Sequence, residues 1–139
     1  MKRKICLTIS LLGLSMPAMA APPAALQPGI VHIVEQIGQP SDDAVILFAA
    51  SLEGHVGGAV VSQDGTVLCD DAWRAHASGD GTHLQFDEIA VTADSCVADG
   101  SLMQFIDRLG AVDAVTTTDD GVMLLDSSGQ PLLRLMVAG

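Results

Sequence analysis

Lysine and tyrosine are missing from everything after residue 20, and cations of any kind are rare there. Of six basic side chains, Lys2, Arg3 and Lys4 stand at the start, and only Arg74, Arg108 and Arg134 follow. All seventeen acidic residues lie beyond Ala20, so that part of the chain sets seventeen carboxylates against three guanidinium groups, a net charge of −14. Such a surface repels phosphate backbones and anionic headgroups, which argues against nucleic acid and acidic membrane faces as partners. A basic envelope protein is the partner this charge attracts. Aromatics are scarce as well: Phe48, Trp73, Phe86 and Phe105. The core must therefore be built from Val, Leu, Ile and Met.

Catalytic signatures are also missing. The chain has no G-x-S-x-G, no P-loop lysine, no H-x-H, no H-E-x-x-H and no C-x-x-C. Acidic pairs are plentiful, but none comes with a nucleophile and a base at useful spacing. The glycine-rich "GHVGGAV" (Gly54 to Val60) lacks the phosphate-binding pattern and is read as a bulged or closely packed strand. The chain is accordingly expected to be non-enzymatic, without catalytic residues, cofactor or metal ligands.

What is present begins with an export signal. Lys2, Arg3 and Lys4 form a basic start, Ile5 to Leu14 is an apolar run too short to span a bilayer, and Ala18-Met19-Ala20 supplies a small-x-small cleavage pattern. Residues 1–20 are thus expected to be removed, and Cys6 with them. Ala21, not a cysteine, directly follows the cleavage point, so a lipid anchor has no support. The expected product is a periplasmic or secreted protein without stable membrane insertion. It keeps two cysteines, Cys69 and Cys96, and in an oxidising compartment these are expected to form one structural disulfide.

Residues 21–43 read as a Pro/Ala-rich leader and a first element, with "IVHIVEQI" (Ile30 to Ile37) fitting a strand or a short helix equally well. From Ala44 to Gly139 the pattern is that of one domain. "AVILFAA" (Ala44 to Ala50) suits a buried strand. Asp64-Gly65, Asp80-Gly81, Asp120-Gly121 and Ser128-Gly129 then separate short Val/Thr/Leu runs, predicting antiparallel hairpins with tight turns. One segment has helical period: in "SLMQFIDRLG", Leu102, Phe105, Ile106 and Leu109 form a single stripe. Ser101 with Gln104 fits a capping box, and Gly110 fits the helix end. The expected fold is a single small α+β domain, a mainly antiparallel sheet or partly closed barrel with one short helix at about 101–110.

The order from Cys69 onward resembles the META domain, the family of the heat-shock protein HslJ. Cys69-Asp70 stands at the family's cysteine turn, with Trp73 near its aromatic position. "LQFDEIAVTADSC" matches at Leu84, Phe86, Ile89, Thr92 and Cys96, Phe105 and Leu109 match the helix, and "LLDSSGQPLLRL" resembles the closing hairpin. The chain departs from the pattern in having Leu68 before Cys69 and Leu102 at the helix start, and in lacking the opening tryptophan strand. The resemblance implies a non-enzymatic envelope protein with a role in stress response or antibiotic tolerance. The rival expectation is a small acidic inhibitor or binding module for a basic protein such as a lysozyme or protease.

The densest stretch is "VLCDDAWRAH", Val67 to His76. Trp73, Arg74 and His76 form the candidate interaction surface, although alternation turns Trp73 to the face opposite Arg74 and His76, and so large a side chain is also good core material. A third reading is a metal-handling protein, with His76 and His83 facing each other across the Asp80-Gly81 turn near Asp70 and Asp71. No histidine spacing presets that geometry.

Overall fold

Eight runs rich in β-branched and aliphatic residues become strands, because each alternates a side that can be buried with one that can stay in water. Among the described residues they are β1 (Val31–Gln36), β2 (Ala44–Ala50), β3 (His55–Ser62), β4 (Val67–Gly79), β5 (Leu84–Val91), β6 (Ala114–Thr118), β7 (Gly121–Leu125) and β8 (Pro131–Val137), with one α-helix, α1 (Ser101–Gly110), between β5 and β6. The computed structural model describes residues 24–39, 44–92 and 100–138. All eight strands lie in one antiparallel sheet of order β5–β4–β3–β2–β1–β8–β7–β6, curled into a half-barrel. The outer strands approach at one end, where His83 bridges Ala114, the Leu84 N–H bonds the Asp113 carbonyl (3.2 Å) and the Val115 N–H bonds the Thr82 carbonyl (3.0 Å). The ambiguous "IVHIVEQI" is a strand, pairing with β2 on one side and β8 on the other. It lies inside the same sheet as the strands after Ala44.

The interior is filled by the inward rows of these strands. Trp73 is fully buried and contacts Phe48 (ring centroids 5.5 Å) and Phe105 (4.8 Å), while Phe48 also meets Phe86 (6.0 Å). All four aromatics thus form one cluster, surrounded by Leu84, Leu102, Leu109, Leu124, Leu133 and Leu135. Helix α1 places the expected stripe on it, with Leu102, Phe105 and Leu109 buried. Two polar ties fix the helix. Arg108 donates from Nη1 to the carbonyls of Ile37 (2.7 Å) and Leu132 (2.9 Å), and the Gln36 side-chain amide donates to the Ser101 carbonyl (3.0 Å). The expected capping box does not form. Ser101 is already the first helical residue, and Gly100 (φ 80°) occupies the cap without a side chain to offer. Nor does Gly110 stand beyond the helix: it is the last helical residue, and Ala111 closes the end.

The leader is packed from Ala25 onward: Ala25 is buried and Pro28 bridges Ala50. No helix among the described residues is long and apolar enough to cross a membrane.

The turns are wider than predicted, for a chemical reason. Asp64 accepts from the Thr66 N–H, Asp80 from those of Thr82 and His83, and Asp126 from those of Ser128 and Gln130, so each carboxylate closes a loop that a two-residue turn would have skipped. The β6–β7 hairpin alone among these has two connecting residues, and they are Asp119 and Asp120. Gly121 belongs to β7, where a Cβ would run into the Leu135 carbonyl.

One fully buried residue of the sheet breaks the apolar pattern. His32 on β1 is fully buried, edge-on to Phe48 at 6.5 Å, and neither ring nitrogen has a hydrogen-bond partner among the described residues. Its register partners, Phe48 on β2 and Val137 on β8, carry no charge, and the only ion pair between β1 and β8 among the described residues, Glu35–Arg134, joins partly exposed side chains. Burial holds the imidazole below its ordinary value of 6.5. The unfolded chain then takes up the proton first, so stability is complete above about pH 6.5 and declines as the pH falls toward the folded-state value. A second acid loss follows at lower pH. The Ser62 hydroxyl, then the Thr66 N–H, hold the Asp64 carboxyl at about 2 against an ordinary 3.8, and that contribution goes as the pH falls between these values. His32→Leu is expected to stabilise the protein at pH 5 by about 1–3 kcal/mol, the cost of an unpaired buried polar group, and to leave only the lower transition. Urea unfolding at pH 5 and pH 7.5 measures this; an unchanged pH dependence would show that His32 is not the group titrating.

Candidate functional site

The outer surface of β3, β4 and β5 collects the polar chemistry of the fold. Two cross-strand rows define it. Ala49, Gly57, Arg74 and Ala90 follow one another by register across β2 to β5, and His55, His76 and Asp87 do so one row away. Ala49 and Gly57 carry little or no side chain, so the first row forms the floor of an open depression. His55, Ser51, Asp71 and Arg74 border it. Arg74 and Asp71 pair at 3.6 Å, both well exposed, a contact worth little in water.

In the second row, His55 and His76 stand with ring centroids 5.6 Å apart at 74°, and Nδ1 of His76 lies 3.6 Å from Oδ1 of Asp87. The other His76 nitrogen, Nε2, is 3.1 Å from the carbonyl oxygen of Glu53, in the short 3-10 turn Leu52–Gly54 between β2 and β3. That turn fits His76 closely. At Gly54 (φ 82°) a Cβ would stand 2.6 Å from the Ala77 carbonyl and 3.1 Å from Nε2 of His76.

Backbone irregularity concentrates around these rows. The non-glycine residues with positive φ among those described are Glu53 (66°), Asp71 (50°) and Glu88 (52°). Glu53 receives His76, Asp71 pairs with Arg74, and Glu88 directly follows Asp87. Register shifts place three extra residues on β4 between Val67 and Trp73, opposite Val61 to Gly58, and one on β5 between Asp87 and Ala90, opposite Arg74 to His76. Bulges of this kind re-aim side chains and recur beside functional sites. The glycine-rich strand itself keeps an even register with β2 and is closely packed rather than bulged: a Cβ at Gly57 would stand 2.7 Å from the Trp73 carbonyl, and one at Gly58 would run into the Leu47 carbonyl.

The sequence-predicted residues are therefore split. Arg74 and His76 lie on the outer surface, but Trp73 does not belong to an interaction surface: it is fully buried, and its indole N–H bonds the Leu47 carbonyl at 3.1 Å. Alternation carries it inward, and the lean aromatic core takes up its area. His76 and His83 do not face each other either. His76 pairs with Asp87 and His55, while His83 bridges Ala114 at the far end of the turn. Cys69 is buried and is not a free thiol, and Cys96 lies outside the described residues. His55, Asp87 and Glu53 were not singled out by sequence, since nothing local links residues so far apart. As the side chains stand, no three His, Cys, Asp or Glu among the described residues form a group that would hold a metal. No family model, no curated protein and no solved structure matches this chain.

Proposed function

We propose that this is a non-enzymatic, exported envelope protein that works by binding a cation-rich protein. One observation carries the reading: every arginine beyond Ala20 is already committed. Arg108 is taken up by the carbonyls of Ile37 and Leu132, Arg74 stands on Asp71, and Arg134 stands on Glu35 at 3.6 Å. No lysine follows residue 4, so the many remaining carboxylates have no internal cation to answer them. A rigid sheet with that uncompensated charge attracts a basic surface and speeds its approach. The proposal is tested by calorimetric titration of a lysozyme, as a cationic probe, into the protein at 50 and 500 mM salt. The expected result is a 1:1 complex that inhibits the enzyme and weakens at least about tenfold at the higher salt. Absence of binding at 50 mM would retire the inhibitor reading.

A META-type role in stress response or antibiotic tolerance is the second reading. It is favoured by the order of elements, since β5, α1 and the closing β7–β8 hairpin follow one another as that resemblance implies. Deletion of the coding sequence, followed by growth under heat and under antibiotics, tests it separately from any binding partner.

A further inference from the structure

A sheet that fills its interior with one row of each strand leaves the alternate row to water, where polar residues are expected. On β1, β2 and β3 the alternate row is mostly apolar. Ile46 and Phe48 of β2 are buried, which turns Val45, Leu47 and Ala49 outward. In the same way Val31 and Ile33 on β1 alternate with His32 and Val34, and Val61 on β3 follows the buried Val60. None of these six outward residues belongs to the core or packs against it.

Register makes them contiguous. Val45, Val61 and Val67 follow one another across β2, β3 and β4, and Val67 is 59% exposed. Two residues further along β2, Met136, Ile33 and Leu47 do so across β8, β1 and β2. Val31, Ala49 and Gly57 make the next row, which ends at Arg74 in the open depression. With strands about 4.8 Å apart and alternate residues about 6.8 Å apart, the patch measures roughly 20 Å by 20 Å. Exposed apolar patches of that size mark interaction surfaces. Helix α1 and the turn Ala24–Leu26 pack on the sheet from the inner side, through Leu102, Phe105 and Ala25.

Charge decides what covers the patch. A basic protein is drawn to unanswered carboxylates, but the two arginines at this patch stand on Asp71 and Glu35, and the pairs cancel. Asp64, Asp80, Asp119, Asp120 and Asp126 lie in the turns. The patch is therefore where a like-charged copy can approach an acidic molecule most closely. Its relief suits a copy too. Ala49 and Gly57 floor a hollow and Val67 protrudes, so one face carries both halves of a self-complementary contact, as a two-fold interface requires.

We propose that the outer surface of β8, β1, β2 and β3, with the start of β4, docks a second copy of this chain in a two-fold dimer. A standard interface takes about 800 Å² from each partner; the patch supplies roughly half of that as an apolar centre, and the ion pairs stand in the polar rim. The dimer does not rest on the binding of a basic protein, and salt separates the two. Screening weakens attraction between opposite charges, but it relieves repulsion between two bodies of net charge −14.

Sedimentation equilibrium of the exported protein at about 50 and 500 mM salt is the test. The expected result is a monomer–dimer equilibrium that tightens at least about threefold at the higher salt. Leu47→Asp and Val67→Asp should each raise the dimer Kd at least about tenfold, whereas Met103→Ser, at an exposed position on α1, should leave it unchanged. Far-UV dichroism and Trp73 fluorescence confirm that each variant is folded. Val67 already stands in water, so its variant keeps the test decisive if Leu47→Asp fails to fold. A monomer at both salts up to about 0.5 mM would give the patch to some other occupant and overturn the proposal. So would a dimer that both aspartates leave intact, or one that loosens as salt is raised.

Discussion

Trp73→Ala is expected to remove about 3–5 kcal/mol of stability, the range for deleting a large aromatic from a packed interior. Trp73 is fully buried at the centre of the aromatic cluster, between Phe48 and Phe105, and its ring joins the sheet to α1. The core contains only three other aromatics, so no neighbour can fill the space. The loss is a large fraction of the roughly 5–15 kcal/mol that holds a small domain folded. Trp73→Phe separates two contributions. It keeps most of the ring contact but strands the Leu47 carbonyl, to which the indole N–H now donates, and should cost about 1–3 kcal/mol. Urea denaturation followed by far-UV dichroism reads both variants. A loss under about 1 kcal/mol for Trp73→Ala would mean that the ring is not core, and would return Trp73 to the interaction surface.

Opening the disulfide that we propose between Cys69 and Cys96 is expected to cost about 3–4 kcal/mol, the chain-entropy value for a closed loop of this length. The bridge would enclose 28 residues, from the start of β4 to beyond β5. Two observations support the pairing. Cys69 is buried and not a free thiol, and Cys6 lies in the segment expected to be removed on export. Thr92, moreover, is tied to the same turn: its hydroxyl bonds the Asp71 carbonyl and its N–H the Ala72 carbonyl. Intact mass before and after reduction with thiol capping is the direct measurement. A start at Ala21 with no reactive thiol until reduction would establish both export and the bridge. Two free thiols at the outset would remove the staple and reopen thiol chemistry at Cys69. The stability cost itself follows from unfolding the protein with and without reductant.

What the sequence determined by itself was everything whose physics is local. The stripe Leu102, Phe105, Leu109 needs only the period of a helix, and the strands between Asp/Gly turns need only alternation and a backbone that can reverse. Net charge follows from counting. The segment Ile30 to Ile37 stayed undecided because its pairing partners, β2 and β8, lie at opposite ends of the folded sequence, and that pairing alone makes it a strand. Arg108 sits in the helical segment, but only the fold brings the carbonyls of Ile37 and Leu132 to it.

The outer-surface site belonged wholly to the tertiary structure. Counting evenly out from the pair Val61–Val67, His55 would stand opposite Trp73. Three extra residues in β4 shift that register and set His55 opposite His76 instead. Because a strand's side chains alternate, an odd shift also decides which residues share a surface. A bulge is fixed by what the neighbouring strands and the core will accept, Trp73 above all, and a chain read in isolation contains no such neighbours.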